Sequence, residues 1–135
     1  MDIERARDFA RRKHRAVLAT RTRGGIQQSP VLVSVDDAGR FVVSSRETAY
    51  KTKNLRRDSW AQLCLLSQQF FGDWYVVEGH AEIVSLPDAM EVLVDYYRAI
   101  SGEHENWTDY RAAMREERRI AIRITADRAG PDRLG

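Results

Sequence analysis

The sequence predicts a mainly β protein with helices, in which six antiparallel strands form a barrel and the helices pack on it. Six runs rich in β-branched and aromatic residues recur along the chain, and glycine-containing turns typical of hairpins separate the first three. Neither a glycine-rich dinucleotide fingerprint nor a phosphate-loop lysine motif occurs, which disfavours a doubly wound parallel sheet. The length of 135 residues suits one hydrophobic core, so we expect a single domain over residues 1–135.

The first part of the chain predicts a helix followed by an antiparallel meander. Apolar residues recur at helical spacing between charges over residues 2–13, with Asp2 as the candidate N-cap. The strands that follow are expected at residues 16–22, 26–35 and 41–44, with turns at Gly24-Gly25 and Asp37-Ala38-Gly39.

The rest of the chain mixes strands with short helices. Thr48 is placed to cap the next helix, which Asp58 ends. Pro87 suits the first turn of a strongly apolar helix that ends at Ser101-Gly102 and needs more than one neighbour to cover it. The expected elements are helices at 49–57, 90–100 and 107–114, strands at 60–67, 74–84 and 118–125, and a loose tail at 129–135.

Charge and composition exclude several classes of function. Lysine and arginine number 22 and aspartate and glutamate 20, so the formal net charge of +2 disfavours a nucleic-acid binder, and any anion site must be local. Cys64 lies in an apolar run and is interpreted as a small buried hydrophobe. No apolar run suits a signal peptide or a membrane span, so we expect a cytoplasmic protein without a membrane partner. No metal is expected, because the histidines lack the spacing of a metal site; they are His14, His80 and His104.

A basic stretch at residues 44–58 is the first candidate site. A strand end and a helix start meet there, and free amides at a helix N-terminus favour phosphate. Lys51 and Lys53 point to different sides of a regular helix, so we favour Lys51 as the primary contact. The alternative is that these basic residues form the solvent-exposed face of a short helix and bind no anion. The other polar side chains offered at this junction are Ser44, Ser45, Arg46 and Thr48.

Further candidates lie elsewhere in the chain. Arg118 and Arg119 begin the last strand, and alternation allows at most one of them to point inward. Several aromatic residues could stack on a ring system, although core packing is their commoner role; they are Trp60, Trp74, Tyr75 and Trp107. No serine elbow and no paired carboxylates are visible, so the catalytic residues stay unknown.

From about Arg15 to Thr125 the chain resembles the pyridoxamine 5'-phosphate oxidase-like superfamily, the FMN-binding split barrels, and within it the actinobacterial branch that uses coenzyme F420. The first strand and the stretches around Gln27, Lys51 and Gly79 carry sequence motifs common to the superfamily. The motifs more specific to the branch are Tyr97-Arg98-Ala99-Ile100-Ser101-Gly102-Glu103-His104, Trp107, Asp109-Tyr110-Arg111 and Arg118-Arg119.

The resemblance implies a homodimer of six-stranded split barrels with one cofactor in each of two grooves at the subunit interface. It also implies that the phosphate lies on the segment from Ser44 to Asn54, that the strand from Gln27 to Val31 lies beside the ring system, and that Arg119 reaches the cofactor. The expected cofactor-binding residues are Gln27, Ser29, Pro30, Val31, Ser44, Ser45, Arg46, Lys51, Thr52, Lys53, Asn54, Trp74 and Arg119.

The implied chemistry is hydride transfer between a reduced deazaflavin and an unsaturated organic small molecule, for which the cofactor carries the reaction. An FMN-dependent oxidase of the same fold and a binding protein that holds F420, flavin or haem without turnover are the alternatives. Two positions depart from the family. Ala49 stands where relatives often carry an arginine, so Lys53 or Arg46 is the candidate to replace that charge. The C-terminal tail also departs from relatives in which an aromatic residue follows the last strand.

Overall fold

The computed structural model describes residues 2–130, which form four helices and seven strands. The helices are α1 (Asp2–Arg12), α2 (Tyr50–Arg57), α3 (Ala89–Ser101) and α4 (Trp107–Glu116). The strands are β1 (Arg15–Arg21), β2 (Ile26–Leu32), β3 (Ser34–Val35), β4 (Phe41–Arg46), β5 (Trp60–Leu66), β6 (Trp74–Val84) and β7 (Arg119–Gly130).

All seven strands belong to one antiparallel sheet, in the order β2-β1-β5-β6-β7-β4-β3. The two strands at its opposite edges, β2 and β3, are consecutive in the chain and are joined by Val33 alone. Because one residue links the two edges, the sheet must curl until they meet. The expected mainly β architecture with helices is therefore confirmed.

The predicted strand 26–35 is wrong in one respect, because Val33 divides it. The amide of Val33 donates to the carbonyl of His14 over 2.8 Å, and Nδ1 of His14 lies 2.9 Å from the carbonyl oxygen of Val33. These contacts hold Val33 at a corner, with its side chain fully buried. The structure therefore has seven strands where the sequence predicts six.

The molecule has two hydrophobic cores on opposite sides of the sheet. The larger core fills the inside of the curl, where Phe41, Leu63 and Ile122 are fully buried. The smaller core lies outside it, where Leu93 of α3 and Tyr110 of α4 pack against Ala121 of β7. The apolar helix α3 thus has both the sheet and α4 as neighbours, as its composition predicts.

Several boundaries differ from the prediction. Thr48 does not cap α2, because Ala49 occupies the N-cap position and no side chain caps the helix. The last strand continues to Gly130, and Ala129 pairs with Val77, so this part of the predicted loose tail is strand. The rest of that prediction falls on residues 131–135, which lie outside the described residues. Strand β6 begins and ends as predicted, at residues 74–84.

Within residues 2–130, no helix is both long enough and apolar enough to cross a membrane.

Candidate functional site

The expected phosphate site is a cluster of three basic residues where β4 ends and where α2 and β7 begin. Arg46 and Arg119 lie directly opposite each other in the β4–β7 ladder. Glu117 lies between them, with its Oε1 at 3.4 Å from Arg46 and 2.9 Å from Arg119. Its hydrogen bond to Arg119 helps to lower the pKa of the Glu117 carboxyl. One carboxylate therefore serves two guanidinium groups.

The third basic residue, Lys51, lies in the first turn of α2 and is half-buried. Burial and the charge of Arg119 lower the pKa of the Lys51 ammonium. Lys51 forms no ion pair within the part of the chain that the structure describes. Lys51 and Arg119 therefore lie near each other, and Glu117 pairs with Arg119 but not with Lys51. An anion would stabilise this arrangement.

The N-terminus of α2 adds backbone donors to the same place. The first helical hydrogen bond runs from the amide of Lys53 to the carbonyl of Ala49. The amides of residues 50–52 precede that bond, so they have no acceptor inside the helix, and Ala49 offers no side chain to cap them. Uncapped amides at the positive end of the helix dipole favour an anion.

Four predicted site residues lie where α2 packs on the sheet, and their side chains form hydrogen bonds with one another or with neighbouring residues. The hydroxyl of Thr52 donates to the carbonyl of Arg46 over 2.7 Å and lies 2.9 Å from the hydroxyl of Ser45. The side-chain amide of Asn54 donates to Oε1 of Gln27 over 3.0 Å. Ser45, Thr52 and Asn54 are buried, so these side chains attach α2 to the sheet. Their contact with a cofactor stays a prediction.

The remaining residues of the basic stretch point elsewhere. Lys53 is exposed, with its ammonium 5.9 Å from the ring centre of Tyr50. Arg56 is bonded to Glu47, and Arg57 donates to the carbonyl of Arg21 over 2.6 Å. Of the two lysines, only Lys51 is half-buried beside Arg119, as helical spacing predicts.

Tyr96 borders this site and was missed by sequence reasoning. Its hydroxyl donates to the carbonyl of Leu32 over 2.9 Å and lies beside the backbone of Ser44. Burial raises the pKa of the Tyr96 phenol. In the sequence Tyr96 is one of several apolar residues of α3, and only its partner, 64 positions earlier, distinguishes it.

The residues that are expected to contact the cofactor ring lie on two different faces of the sheet. Gln27, Ser29 and Val31 alternate with exposed residues of β2 and point inward, whereas Pro30 lies on the outer face. Trp74 also lies on the outer face and is 45% exposed.

Strand register groups seven residues into a largely apolar patch, which we call the outer sheet face: Val17, Pro30, Leu32, Cys64, Leu66, Trp74 and Val76. Cys64 is half-buried there, and burial raises the pKa of its thiol.

The motif specific to the branch forms a cluster of aromatic rings between α3 and α4. Tyr97, His104, Trp107 and Tyr110 contact one another with ring centres 5.0 to 5.8 Å apart. Trp107 therefore packs in this cluster, as its commoner role predicts. The cluster holds α4 on α3, and α4 leads directly into Arg118 and Arg119. Arg118 is exposed and Arg119 half-buried, which confirms that at most one of them points inward.

A curled antiparallel sheet that carries helices is the architecture of the split-barrel proteins. The family model for pyridoxamine 5'-phosphate oxidase matches residues 3–130. The chain therefore belongs to the pyridoxamine 5'-phosphate oxidase family.

Solved structures share this fold. A conserved hypothetical protein from Mycobacterium tuberculosis superposes with a TM-score of 0.78 at 24% identity, over 96% of this chain and 82% of the other. An F420 reductase gives a TM-score of 0.70 at 16% identity, over 91% of this chain and 94% of the other. A heme binding protein from Mycobacterium smegmatis gives 0.70 at 19% identity, over 100% of this chain and 57% of the other.

Proposed function

We propose that this protein is an oxidoreductase that uses coenzyme F420 to transfer a hydride between reduced deazaflavin and an unsaturated organic molecule. Membership of an oxidase family supports a redox enzyme of the flavin-binding kind. The shared fold with an F420 reductase is consistent with the deazaflavin, although likeness at 16% identity concerns the fold alone.

The observation that carries the proposal is the half-buried Lys51 beside Arg119 at the uncapped start of α2. Burying an ammonium near a guanidinium costs stability unless an anion neutralises them. A phosphate group would accept hydrogen bonds from the Lys51 ammonium, from Arg119 and from the amides of residues 50–52. This donor set suits a phosphate in charge and in hydrogen-bonding capacity.

The cofactor supplies the hydride chemistry, and the protein supplies binding and orientation. Lys51 and Arg119 would hold the phosphate, and Glu117 keeps the guanidinium of Arg119 in place through a contact of 2.9 Å. The buried bonds of Thr52 and Asn54 keep the start of α2 fixed against the sheet, which limits the movement of the donors. Tyr96, beside Ser44, stands next to this cluster.

We further propose that the protein is a homodimer whose subunits meet at the outer sheet face. Leu32 and Trp74 are 47% and 45% exposed, and strand register places them in one row with Arg15 and Leu66. A largely apolar patch that also holds an arginine is typical of a protein interface. A subunit docked there would lie beside Pro30, one of the residues expected to contact the cofactor ring.

Titration of the purified protein with F420, followed by quenching of the deazaflavin fluorescence, tests the cofactor. We expect micromolar affinity for F420 and much weaker affinity for FMN. Tightly bound FMN in a yellow protein would instead favour the oxidase. F420 binding without oxidation of reduced F420 by quinones, enones or nitroaromatics would favour a binding protein.

The residue test compares two neighbouring lysines. Lys51→Ala removes a charged donor and should weaken F420 binding by about 1–3 kcal/mol, or roughly 5- to 150-fold. Lys53→Ala removes the same charge from an exposed position and should change affinity less. Equal affinity of Lys51→Ala and the unchanged protein would place the phosphate elsewhere.

A further inference from the structure

A second concave site lies between the β3–β4 hairpin and helix α3. It is a groove of about 490 Å³, which is within the range of small-molecule pockets. Its apolar floor is formed by Val42, Val92 and Ala99, and its polar lining includes Ser34, Asp36, Asp37, Arg40, Asp95 and Arg123. Tyr96 lines the groove and also lies beside Ser44, so it stands between the groove and the basic cluster.

Both arginines of the groove are neutralised by carboxylates. Arg40 binds Asp36 over 2.8 Å, and the same carboxylate accepts the Arg40 amide over 2.9 Å. Arg123 binds Glu82 over 2.8 Å. These pairs place a carboxylate on each guanidinium group, so the two arginines add little net positive charge to the groove.

Two further carboxylates are not neutralised in this way. Asp37 lies at the hairpin turn, is exposed and forms no ion pair among residues 2–130. Asp95 of α3 lies 3.6 Å from Arg98. The guanidinium of Arg98, however, is bonded to Glu103 over 2.8 Å and covers the ring of Trp107 at 4.9 Å. The walls of the groove therefore present excess negative charge from two elements.

A buried hydroxyl gives an independent indication of a ligand. Ser34 is 3% exposed and lines the groove, opposite Val42 in the β3–β4 ladder. Its hydroxyl forms no hydrogen bond with the described residues, and since no fully buried side-chain oxygen among them lacks a partner, this hydroxyl is open to the groove. Buried hydroxyls are normally hydrogen-bonded, so this one is available to a bound molecule or to water.

We propose that this groove binds a small organic cation. The ammonium lies between Asp37 and Asp95, the apolar part covers Val42, Val92 and Ala99, and Ser34 bonds a polar group of the ligand. The binding of this cation does not rest on the proposed function.

The experiment uses two probes that share a phenylethyl group and carry opposite charges, phenethylamine and 3-phenylpropionate, titrated into the full chain without cofactor and followed by NMR. We expect phenethylamine to bind with a dissociation constant below about 10 mM and 3-phenylpropionate not to bind. The pair Asp37→Asn with Asp95→Asn should weaken phenethylamine at least tenfold, and Ser34→Ala should weaken it less. Asp109→Asn, an exposed carboxylate of α4 outside the groove, should leave it unchanged.

Three results would overturn the proposal. They are equal binding of both probes, no binding of phenethylamine at about 10 mM, and unchanged affinity in the Asp37 and Asp95 double variant. Both aspartates are exposed, so circular dichroism should show the double variant folded. Absence of F420 binding in a protein that still binds phenethylamine would count against the proposed function and leave the groove assignment standing.

Discussion

The side-chain amide of Asn54 donates hydrogen bonds to Oε1 of Gln27 over 3.0 Å and to the hydroxyl of Thr20 over 3.2 Å, joining α2 to β1 and β2. Asn54 and Thr20 are buried. Asn54→Ala leaves the Thr20 hydroxyl without this partner, so we expect a loss of about 1–3 kcal/mol in the free energy of unfolding, measured with urea. Gln28→Ala, at the exposed neighbouring position of β2, should change stability by less than about 0.5 kcal/mol. Equal stability of both variants would contradict this role.

The contact between Asn54 and Gln27 also shows which parts of the site can be predicted from sequence. Alternation of apolar residues predicts strand β6 at its exact bounds, because the pattern depends on neighbouring residues. Alternation places Gln27 and Pro30 on opposite faces of β2, but which of these faces lies inside depends on how the sheet curls, and this does not follow from the sequence of the strand. The division at Val33 depends on His14, 19 residues away.

The same reasoning applies to helix α2. The spacing of Lys51 and Lys53 predicts that they point apart, because helical geometry is local. The capping residue could not be predicted, because Thr48 bears the right side chain but the backbone places Ala49 at the N-cap. The partner of Tyr96 lies 64 positions away, and no local signal identifies it.

Lys51→Met should stabilise the protein in the absence of a ligand. The pKa of Lys51 is lowered in the folded state, so between that pKa and 10.5 the unfolded chain binds more protons and stability rises with pH. Below both pKa values the cost of the buried charge is fully present. We therefore expect a higher Tm at pH 7 and a smaller rise in stability toward pH 10 for the variant.

The control for this prediction is Lys53→Met, at an exposed position of the same helix, which should leave Tm at pH 7 nearly unchanged. Inorganic phosphate should raise the Tm of the unchanged protein more than that of Lys51→Met, because a ligand stabilises only the state that binds it. A Tm of Lys51→Met below that of the unchanged protein would show that Lys51 is not a source of strain.

Gly79→Ala should strongly destabilise the protein. A Cβ at residue 79 would lie 1.9 Å from the carbonyl oxygen of Thr125, where β7 bulges against β6. Backbone atoms cannot move as a flexible side chain does, so we expect a loss of about 3 kcal/mol in urea denaturation. Gly24→Ala is the matched substitution, because its Cβ would meet nothing within 4 Å, and it should cost less than about 0.5 kcal/mol. Similar losses at both positions would contradict the close approach.

Tyr110→Phe should cost about 1 kcal/mol at pH 8, because the buried hydroxyl donates to the carbonyl of Leu93 over 2.8 Å. Burial raises the pKa of Tyr110 to about 12, so between pH 10 and 12 the folded chain holds a proton that the unfolded chain has lost. Stability therefore falls with pH in that window, and the fall should be smaller in the variant. Tyr50→Phe, at a residue that is 74% exposed, should match the unchanged protein throughout thermal melts across this range.

Leu32→Glu should convert the proposed homodimer into monomers. The side chain is 47% exposed on the outer sheet face, and burying a carboxylate there against a second subunit costs free energy even beside Arg15, its neighbour on β1. Only the backbone carbonyl of Leu32 bonds Tyr96, so the fold keeps that contact. Light scattering should give twice the chain mass of 15.6 kDa for the unchanged protein and for Thr108→Glu, an exposed position on α4, but a single chain mass for Leu32→Glu. A dimer that survives Leu32→Glu would place the interface on another surface.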